Sequence, residues 1–128
     1  FLREAKIDLT NAITRKSSPG FYEFYLRGLI YLRFYNLKNA IKDFKKSILL
    51  NPNHFESHFN KGACNYDLGN YDSAVLDFNN AYKIKKNDED LFFNRGIAYF
   101  ASGNYKKAII DFDNINNLNN FKRDIFFL

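Results

Sequence analysis

The side chains best suited to chemistry stand close together in the middle of the chain. Cys64, His54 and His58 are its only cysteine and histidines, and Glu56 lies between the two histidines. A metal site or a nucleophilic triad needs such side chains on one face of an element. On a helix Glu56 does not share a face with the two histidines, because neighbours on a face lie three or four residues apart. The pattern therefore predicts no catalytic residue, no metal ligand set and no cofactor, and favours a protein that is not an enzyme.

The cysteine and the histidines are instead expected to be structural. Cys64 follows two small residues and is predicted to be a buried spacer. His54 is predicted to lie in a joint between helices, and His58 in the core or at its edge with a hydrogen-bond partner. No Gly-rich run precedes a Lys-Ser or Lys-Thr pair, so no phosphate-binding loop is expected.

Two columns of opposite charge recur along the chain and could form either a ligand clamp or structural ion pairs. The basic column contains Arg27, Lys61 and Arg95. The acidic column contains Asp8, Asp43, Asp77 and Asp111. Opposite charges that recur with one period favour ion pairs between helices over a clamp. If each second helix packs on the next unit, the expected pairs are Asp8–Arg27, Asp43–Lys61 and Asp77–Arg95.

The charged columns belong to a repeat of 34 residues that extends over the chain. Three other columns each hold one residue type: Gly28, Gly62 and Gly96, then Ala40, Ala74 and Ala108, then Phe44, Phe78 and Phe112. Gly inside a helix costs about 1 kcal/mol relative to Ala. Its recurrence indicates close contact between the two helices of a unit, where we expect it to meet the Ala. One unit cannot bury its own aromatic rings, so the repeat predicts stacked helix pairs, an all-α solenoid.

Apolar spacing and breaker residues predict seven helices. They are expected at 1–16, 21–34, 37–50, 55–68, 71–84, 89–102 and 105–118. Joints within a unit are predicted at Tyr35-Asn36, Gly69-Asn70 and Gly103-Asn104, and joints between units at Asn51-Pro52-Asn53, Asn87-Asp88 and Asn119-Asn120. The chain thus divides into the second helix of a truncated unit with its joint (1–20), three full units (21–54, 55–88 and 89–122) and the start of a further truncated unit (123–128). This division favours a segment of a longer array.

The spacing of residues around the joint of each unit matches a known repeat. In the middle unit Leu68-Gly69-Asn70-Tyr71 is followed by Ala74 and Phe78, and the third unit repeats the spacing. This Gly-x-Tyr-x-x-Ala-x-x-x-Phe pattern resembles the tetratricopeptide repeat (TPR). The resemblance covers essentially the whole chain and implies an α-solenoid with a right-handed superhelix. The local departures from the pattern are His58, Asn65, Ile115 and Asn120. The related pentatricopeptide repeat, which binds RNA, is one residue longer and lacks the Gly/Ala columns.

TPR arrays line a concave groove with the exposed face of their first helices, and the resemblance implies the same groove face here. The predicted groove residues are Tyr22, Tyr25, Leu29, Leu32, Phe59, Asn60, Ala63, Tyr66, Phe93, Asn94, Ile97 and Phe100. The charged residues of that face are Arg33, Glu56 and Asp90. Because an exposed apolar groove usually binds a partner, the leading hypothesis is a non-catalytic interaction module that binds a peptide or helix of another protein. Two alternatives stay open: the rings bury one another, or another segment of a larger scaffold assembly fills the groove.

Two other partner classes are less favoured. TPR proteins that bind the acidic C-termini of chaperones use a carboxylate clamp of Lys, Asn and Arg residues. Among the equivalent positions here only Asn60 matches, and Asp90 has the wrong sign. The net charge of +5 is compatible with a nucleic-acid partner. The lysines, however, fall mostly on the solvent faces of predicted helices, which favours ordinary solvated surface charge over a binding patch.

Composition restricts the cellular setting. No run of about 18 apolar residues predicts a membrane span, and the charged N-terminal residues do not resemble a signal peptide. A single Cys suits a reducing compartment, so a cytoplasmic location is expected. Further TPR units of the same polypeptide are the expected neighbours of this segment.

Overall fold

The computed structural model describes residues 1–16 and 18–126, with side chains as far as Arg123. Within these residues the chain forms seven helices and no strand. Their bounds are α1 Leu2–Arg15, α2 Phe21–Arg33, α3 Leu37–Leu50, α4 Phe55–Asp67, α5 Tyr71–Ile84, α6 Glu89–Ala101 and α7 Tyr105–Phe126. The first six match the predicted helices to within one residue at each end, so the prediction of an all-α solenoid is confirmed.

The helices pack in chain order as a stack of pairs. The pairs α2 with α3, α4 with α5 and α6 with α7 make the most extensive contacts, and α3 with α4 and α5 with α6 join one pair to the next. Helix α2 also contacts α4, and α4 contacts α6. The first helices of successive pairs therefore form one layer, and the second helices form the other.

The seventh helix is longer than the sequence predicts. A joint was expected at Asn119-Asn120, but α7 continues to Phe126 and is 22 residues long, whereas α3 and α5 have 14 each. The predicted joint is wrong because a helix can continue through Asn residues, and residues 121–128 contain no Pro or Gly that would end it. Residues 123–126, expected to open a further unit, belong to α7, while 127 and 128 lie outside the described residues. The division of the rest of the chain into units stays a prediction.

A left-handed residue ends the first helix of each pair, within the joints that the sequence predicts. Gly69 and Gly103 have φ of 82° and 86°, and Tyr35 takes the same conformation with φ of 58°. The next residue then bonds back across the turn, as in the 2.8 Å bond from Asn70 N to the Asn65 carbonyl. This cap reverses the chain within two or three residues and sets the two helices of a pair side by side.

The recurring glycines admit an aromatic ring rather than the predicted alanine. A Cβ atom built on Gly28, Gly62 or Gly96 would lie 2.6–2.8 Å from the Cε1 atom of Phe44, Phe78 or Phe112 of the same pair. The prediction that the Ala column lies closest to the Gly is therefore wrong. The ring of each Phe occupies the space that a side chain on the first helix would need, and this fixes the distance between the two helices.

Candidate functional site

The basic column is neutralised within each helix pair. Arg27 donates to Asp43 through Nε at 2.7 Å and Nη2 at 2.8 Å. Arg95 does the same to Asp111 at 2.9 and 2.7 Å, and Lys61 Nζ lies 2.5 Å from Asp77 Oδ1. The three aspartates on α3, α5 and α7 are buried. The ion-pair interpretation is thus supported, and the basic column does not present free cations to an anionic ligand.

The partners in these pairs differ from those predicted. Pairing across units, such as Asp43 with Lys61, is wrong, and exposed Asp8 is not the partner of Arg27. The reason lies in the neighbouring columns. Arg27 precedes Gly28 and Asp43 precedes Phe44, so the contact of Gly with Phe brings the two charges together across the same helix pair.

The pKa values of the arginines follow this pairing. The hydrogen bonds to Asp43 raise the pKa of Arg27 above its ordinary value. Burial opposes the charge of Arg95, but its bonds to Asp111 raise its pKa as well. Both guanidinium groups therefore stay charged, and bonded to Asp43 and Asp111, at any pH at which the protein is folded.

A buried polar chain joins the first two helix pairs at His54. His54 Nδ1 lies 2.7 Å from Ser57 Oγ, and this hydroxyl donates to Ser47 Oγ at 2.9 Å. On the other side of the ring, His54 Nε2 lies 3.4 Å from Glu56 Oε2. A serine, a histidine and a carboxylate thus lie in sequence, as in a hydrolase triad. Both serines are fully buried, so no substrate reaches either hydroxyl, and the chain of bonds is structural.

The histidines occupy the predicted places. His54 precedes α4 in the joint, where its ring packs at 4.7 Å from the Tyr25 ring, and burial lowers its pKa below the ordinary value. His58 is buried and its Nε2 lies 2.8 Å from the Pro52 carbonyl. Sequence reasoning missed the two serines of this network. The signal available was that polar Ser47 stands in the column where the next unit has Ala81.

Cys64 is expected to resist thiol reagents in the folded protein. The side chain is fully buried, and burial raises the pKa of the thiol to about 12. At pH 8 almost none of it is thiolate, the reactive form, so labelling by a soluble disulfide reagent should be on the order of a thousandfold slower than in the unfolded chain. Time-resolved labelling with and without urea measures this ratio, and comparable rates would show that the segment around Cys64 opens freely.

In the part of the chain that the structure describes, no three His, Cys, Asp or Glu side chains are grouped in a way that would hold a metal ion. None of the described helices has both the length and the apolar character that crossing a bilayer requires.

The predicted groove residues lie on the layer formed by α2, α4 and α6, and none of them is fully buried. Tyr22, Phe93 and Phe100 are exposed. The half-buried ones are Tyr25, Leu29, Leu32, Phe59, Asn60, Ala63, Tyr66, Asn94 and Ile97. Their use as a binding site stays a prediction.

One aromatic column of the groove face rests on the core of each helix pair. The ring centroids of Tyr25 and Phe44 lie 6.1 Å apart, those of Phe59 and Phe78 5.7 Å apart, and those of Phe93 and Phe112 6.4 Å apart. Each ring of this column therefore supports the core Phe of its own helix pair.

Polar groups on the groove face are held by their own helices. The amide of Asn60 donates to the Glu56 carbonyl at 2.9 Å, and that of Asn94 donates to the Asp90 carbonyl at 2.7 Å. Glu56 and Asp90 themselves are exposed at the first turns of α4 and α6. These two carboxylates have the opposite sign to the lysines of a clamp for acidic peptides, which agrees with the mismatch to such a clamp.

Stacked helix pairs with a left-handed cap and a semi-exposed first-helix layer define an α-solenoid of the protein-interaction class. Sequence models of one family match successive stretches of this solenoid: TPR repeat at residues 65–103, and tetratricopeptide repeat at residues 44–75 and at residues 24–54. The chain belongs to the tetratricopeptide repeat family, and the resemblance inferred from the sequence is confirmed.

Solved structures share the fold. MamA superposes with a TM-score of 0.89 at 18% identity, over 96% of this chain and 71% of MamA. YrrB, described as a TPR protein with an unusual peptide-binding site, superposes with a TM-score of 0.82 at 26% identity, over 91% of this chain and 60% of YrrB. The likeness to MamA shows the fold alone, and the chain corresponds to about three fifths of YrrB. None of the curated proteins compared matches the chain in sequence.

Proposed function

We propose that this protein binds a peptide or helix of a partner protein on the groove face. The observation that carries the proposal is the exposure of large rings there: Phe93 is 53% and Phe100 61% exposed. Both lie on α6, in the layer where successive first helices contact each other. Large apolar side chains on a shared face are typical of surfaces that a partner covers.

Mutual burial of the rings, the simpler interpretation, does not account for these two. Phe93 contacts the Phe112 ring and Phe100 contacts the Tyr105 ring, with centroids 5.2 Å apart in the second case. Each ring nevertheless leaves more than half of its surface open. YrrB, which has the same fold, is described as having an unusual peptide-binding site, and this supports peptide binding as the function.

The charges beside the rings favour a particular kind of peptide. Glu56 and Asp90 are exposed at the edge of the groove face. Carboxylates at that edge attract a basic residue and repel an acidic one. We therefore expect a peptide with bulky apolar residues and at least one Lys or Arg, rather than an acidic chaperone tail.

A scaffold role is the second candidate, and one observation favours it. Phe44 and Phe78 are fully buried, whereas the equivalent Phe112 on α7 is only half-buried, and Ile109 beside it is exposed. In the first two pairs the next pair packs on the second helix. A further unit or another subunit packed on α7 would bury these side chains, so the segment would be one part of a larger array, in a reducing compartment such as the cytoplasm.

Substituting the exposed rings tests the groove. We expect Phe93→Ser with Phe100→Ser to weaken binding of a peptide selected from a random display library by at least about tenfold, since removed aromatic anchors typically cost more than 1 kcal/mol each. The matched control is Leu76→Ser with Ile110→Ser, because these side chains are 62% and 59% exposed on the second helices. Fluorescence anisotropy measures both, with circular dichroism to verify the fold. Equal weakening by the two pairs, or failure to select any peptide, would contradict the proposal and favour a groove filled within an assembly.

A further inference from the structure

The second helix of the first full pair carries a row of lysines on its outer face. Lys42, Lys45, Lys46 and Leu49 are spaced by three, four and seven residues, so they share one face of α3. All four are exposed, and Leu49 is 75% exposed. A basic row thus ends in a large apolar side chain that nothing in the fold covers.

The repeat itself shows that the fold does not require this row. The equivalent positions are Leu76, Asn79, Asn80 and Lys83 in α5, and Ile110, Asp113, Asn114 and Asn117 in α7. The columns that build the helix pairs keep one residue type throughout, whereas these do not. The stack therefore forms with other side chains at these positions, and the lysines of α3 serve some other purpose than packing.

Two adjoining clefts lie along this row. One, of about 440 Å³, has Phe24 and Leu49 as its apolar surface and Lys42, Lys45 and Lys46 at its rim. The other, of about 280 Å³, includes Ile48 and again Lys45 and Leu49. Because they share two residues, the clefts lie side by side along α3, and together we name them the α3 cleft.

The free charge of the α3 cleft is positive. The arginine and lysine that reach it from the first-helix layer, Arg27 and Lys61, are neutralised by Asp43 and Asp77. Within the described residues, Lys42, Lys45 and Lys46 form no ion pair. The α3 cleft therefore offers three unpaired ammonium groups beside an apolar surface.

We propose that the α3 cleft is a second docking surface, which binds an acidic amphipathic segment of a partner protein. Its carboxylates would face the three lysines, and an apolar side chain would lie between Phe24 and Leu49. Charge complementarity of this kind fixes register and accelerates association. Single-stranded nucleic acid fits less well, because it needs exposed rings for base stacking and Phe24 is only 9% exposed. The α3 cleft runs along the second-helix layer, and none of the residues that line it belongs to the groove face.

A defined probe tests this surface. We would measure, by fluorescence anisotropy, binding of a labelled helical peptide with glutamates on one face and leucines beside them. Lys42→Glu with Lys45→Glu and Lys46→Glu should weaken binding by at least about tenfold, because three attractive contacts become repulsive. The matched control carries the same charge change on exposed lysines of α5 and α7, as Lys83→Glu, Lys106→Glu and Lys107→Glu, and should weaken binding by less than about twofold, as expected for charges remote from the contact.

Two further measurements separate the alternatives. Leu49→Ser should weaken binding of the same peptide several-fold at high salt, where the apolar contact dominates. The groove variant Phe93→Ser with Phe100→Ser should bind this peptide with unchanged affinity. Four results would overturn the proposal. They are no binding of the peptide, equal weakening by the two lysine triples, a loss of binding in the groove variant alone, and an oligonucleotide of equal charge that binds as tightly and whose binding is unchanged by Leu49→Ser.

Discussion

Replacing Gly62 by valine should lower the free energy of unfolding by about 3 kcal/mol, the upper part of the range for overpacked cores. A Cβ atom at Gly62 would lie 2.8 Å from Cε1 and 2.9 Å from Cδ1 of Phe78. The Phe78 ring is fully buried, and the Phe59 ring packs against it at 5.7 Å. The ring therefore has no free space into which it could move. Urea unfolding followed by circular dichroism measures the change.

The position of Gly62 makes this effect larger than at the ends of the stack. Helices α4 and α5 form the middle pair, which contacts α3 on one side and α6 on the other. In a repeat protein each unit is stabilised by its neighbours, so separating α4 from α5 weakens both interfaces. Gly62→Ala should lower the free energy of unfolding by less than Gly62→Val does, because the higher helix propensity of Ala offsets about 1 kcal/mol of the strain.

A control and a rescue isolate the cause. Gly20→Ala should change stability little, because a Cβ there would meet only Glu23 Oε2, at 3.5 Å. Phe78→Leu removes Cε1 and Cζ, two of the three atoms in conflict, so the double variant with Gly62→Val should be more stable than the sum of the single losses predicts. Strict additivity would show that the valine acts through backbone propensity rather than through contact with the ring.

The periodicity of the sequence was enough to predict the helices but not their contacts. Six helices were predicted to within a residue at each end because left-handed caps and joint residues mark their ends locally. Which column meets which column depends on how two helices are rotated about their axes, and the repeat spacing is the same for every choice. Gly28 was therefore paired with Ala40 rather than Phe44, and Asp43 with Lys61 rather than Arg27.

The groove face illustrates the same limit. Its residues were inferred from the resemblance to the TPR family, and the repeat places equivalent positions of α2, α4 and α6 on one layer. How much of each ring is exposed does not follow, since Tyr25 and Phe59 are half-buried while Phe93 in the same column is exposed. The Phe59 ring also packs on Phe55 and the Tyr25 ring on His54, whereas the Phe93 ring contacts Phe112. The length of α7 also escaped prediction, because no local signal ends it.

Replacing Asp77 by alanine should lower the free energy of unfolding by about 3–5 kcal/mol, as expected when one partner of a buried ion pair is removed. Its carboxylate accepts from Lys61 Nζ at 2.5 Å and from Asn65 Nδ2 at 2.7 Å, and only 3% of its side chain is exposed. The substitution leaves the ammonium group without its carboxylate in the core. Urea unfolding measures the loss, and Asp8→Ala provides the control, because exposed Asp8 occupies the same column and should change stability by about 0.5 kcal/mol or less.

A comparison of two double-mutant cycles then decides between the possible pairings. Asp43 and Arg27 are bonded within one helix pair, so Asp43→Ala and Arg27→Ala should be coupled by about 1–3 kcal/mol. Asp43 and Lys61 are the partners in the pairing suggested by stacking. The losses in unfolding free energy caused by Asp43→Ala and Lys61→Ala should add to within about 0.5 kcal/mol, as they do for groups without a shared contact. Coupling in the second cycle and none in the first would mean that these charges join neighbouring units. The stack would then be held by ion pairs between units. In the observed geometry these ion pairs close each helix pair, and neighbouring pairs are joined by packed rings such as Tyr82 with Phe92 and by uncharged hydrogen bonds such as Ser57 to Ser47.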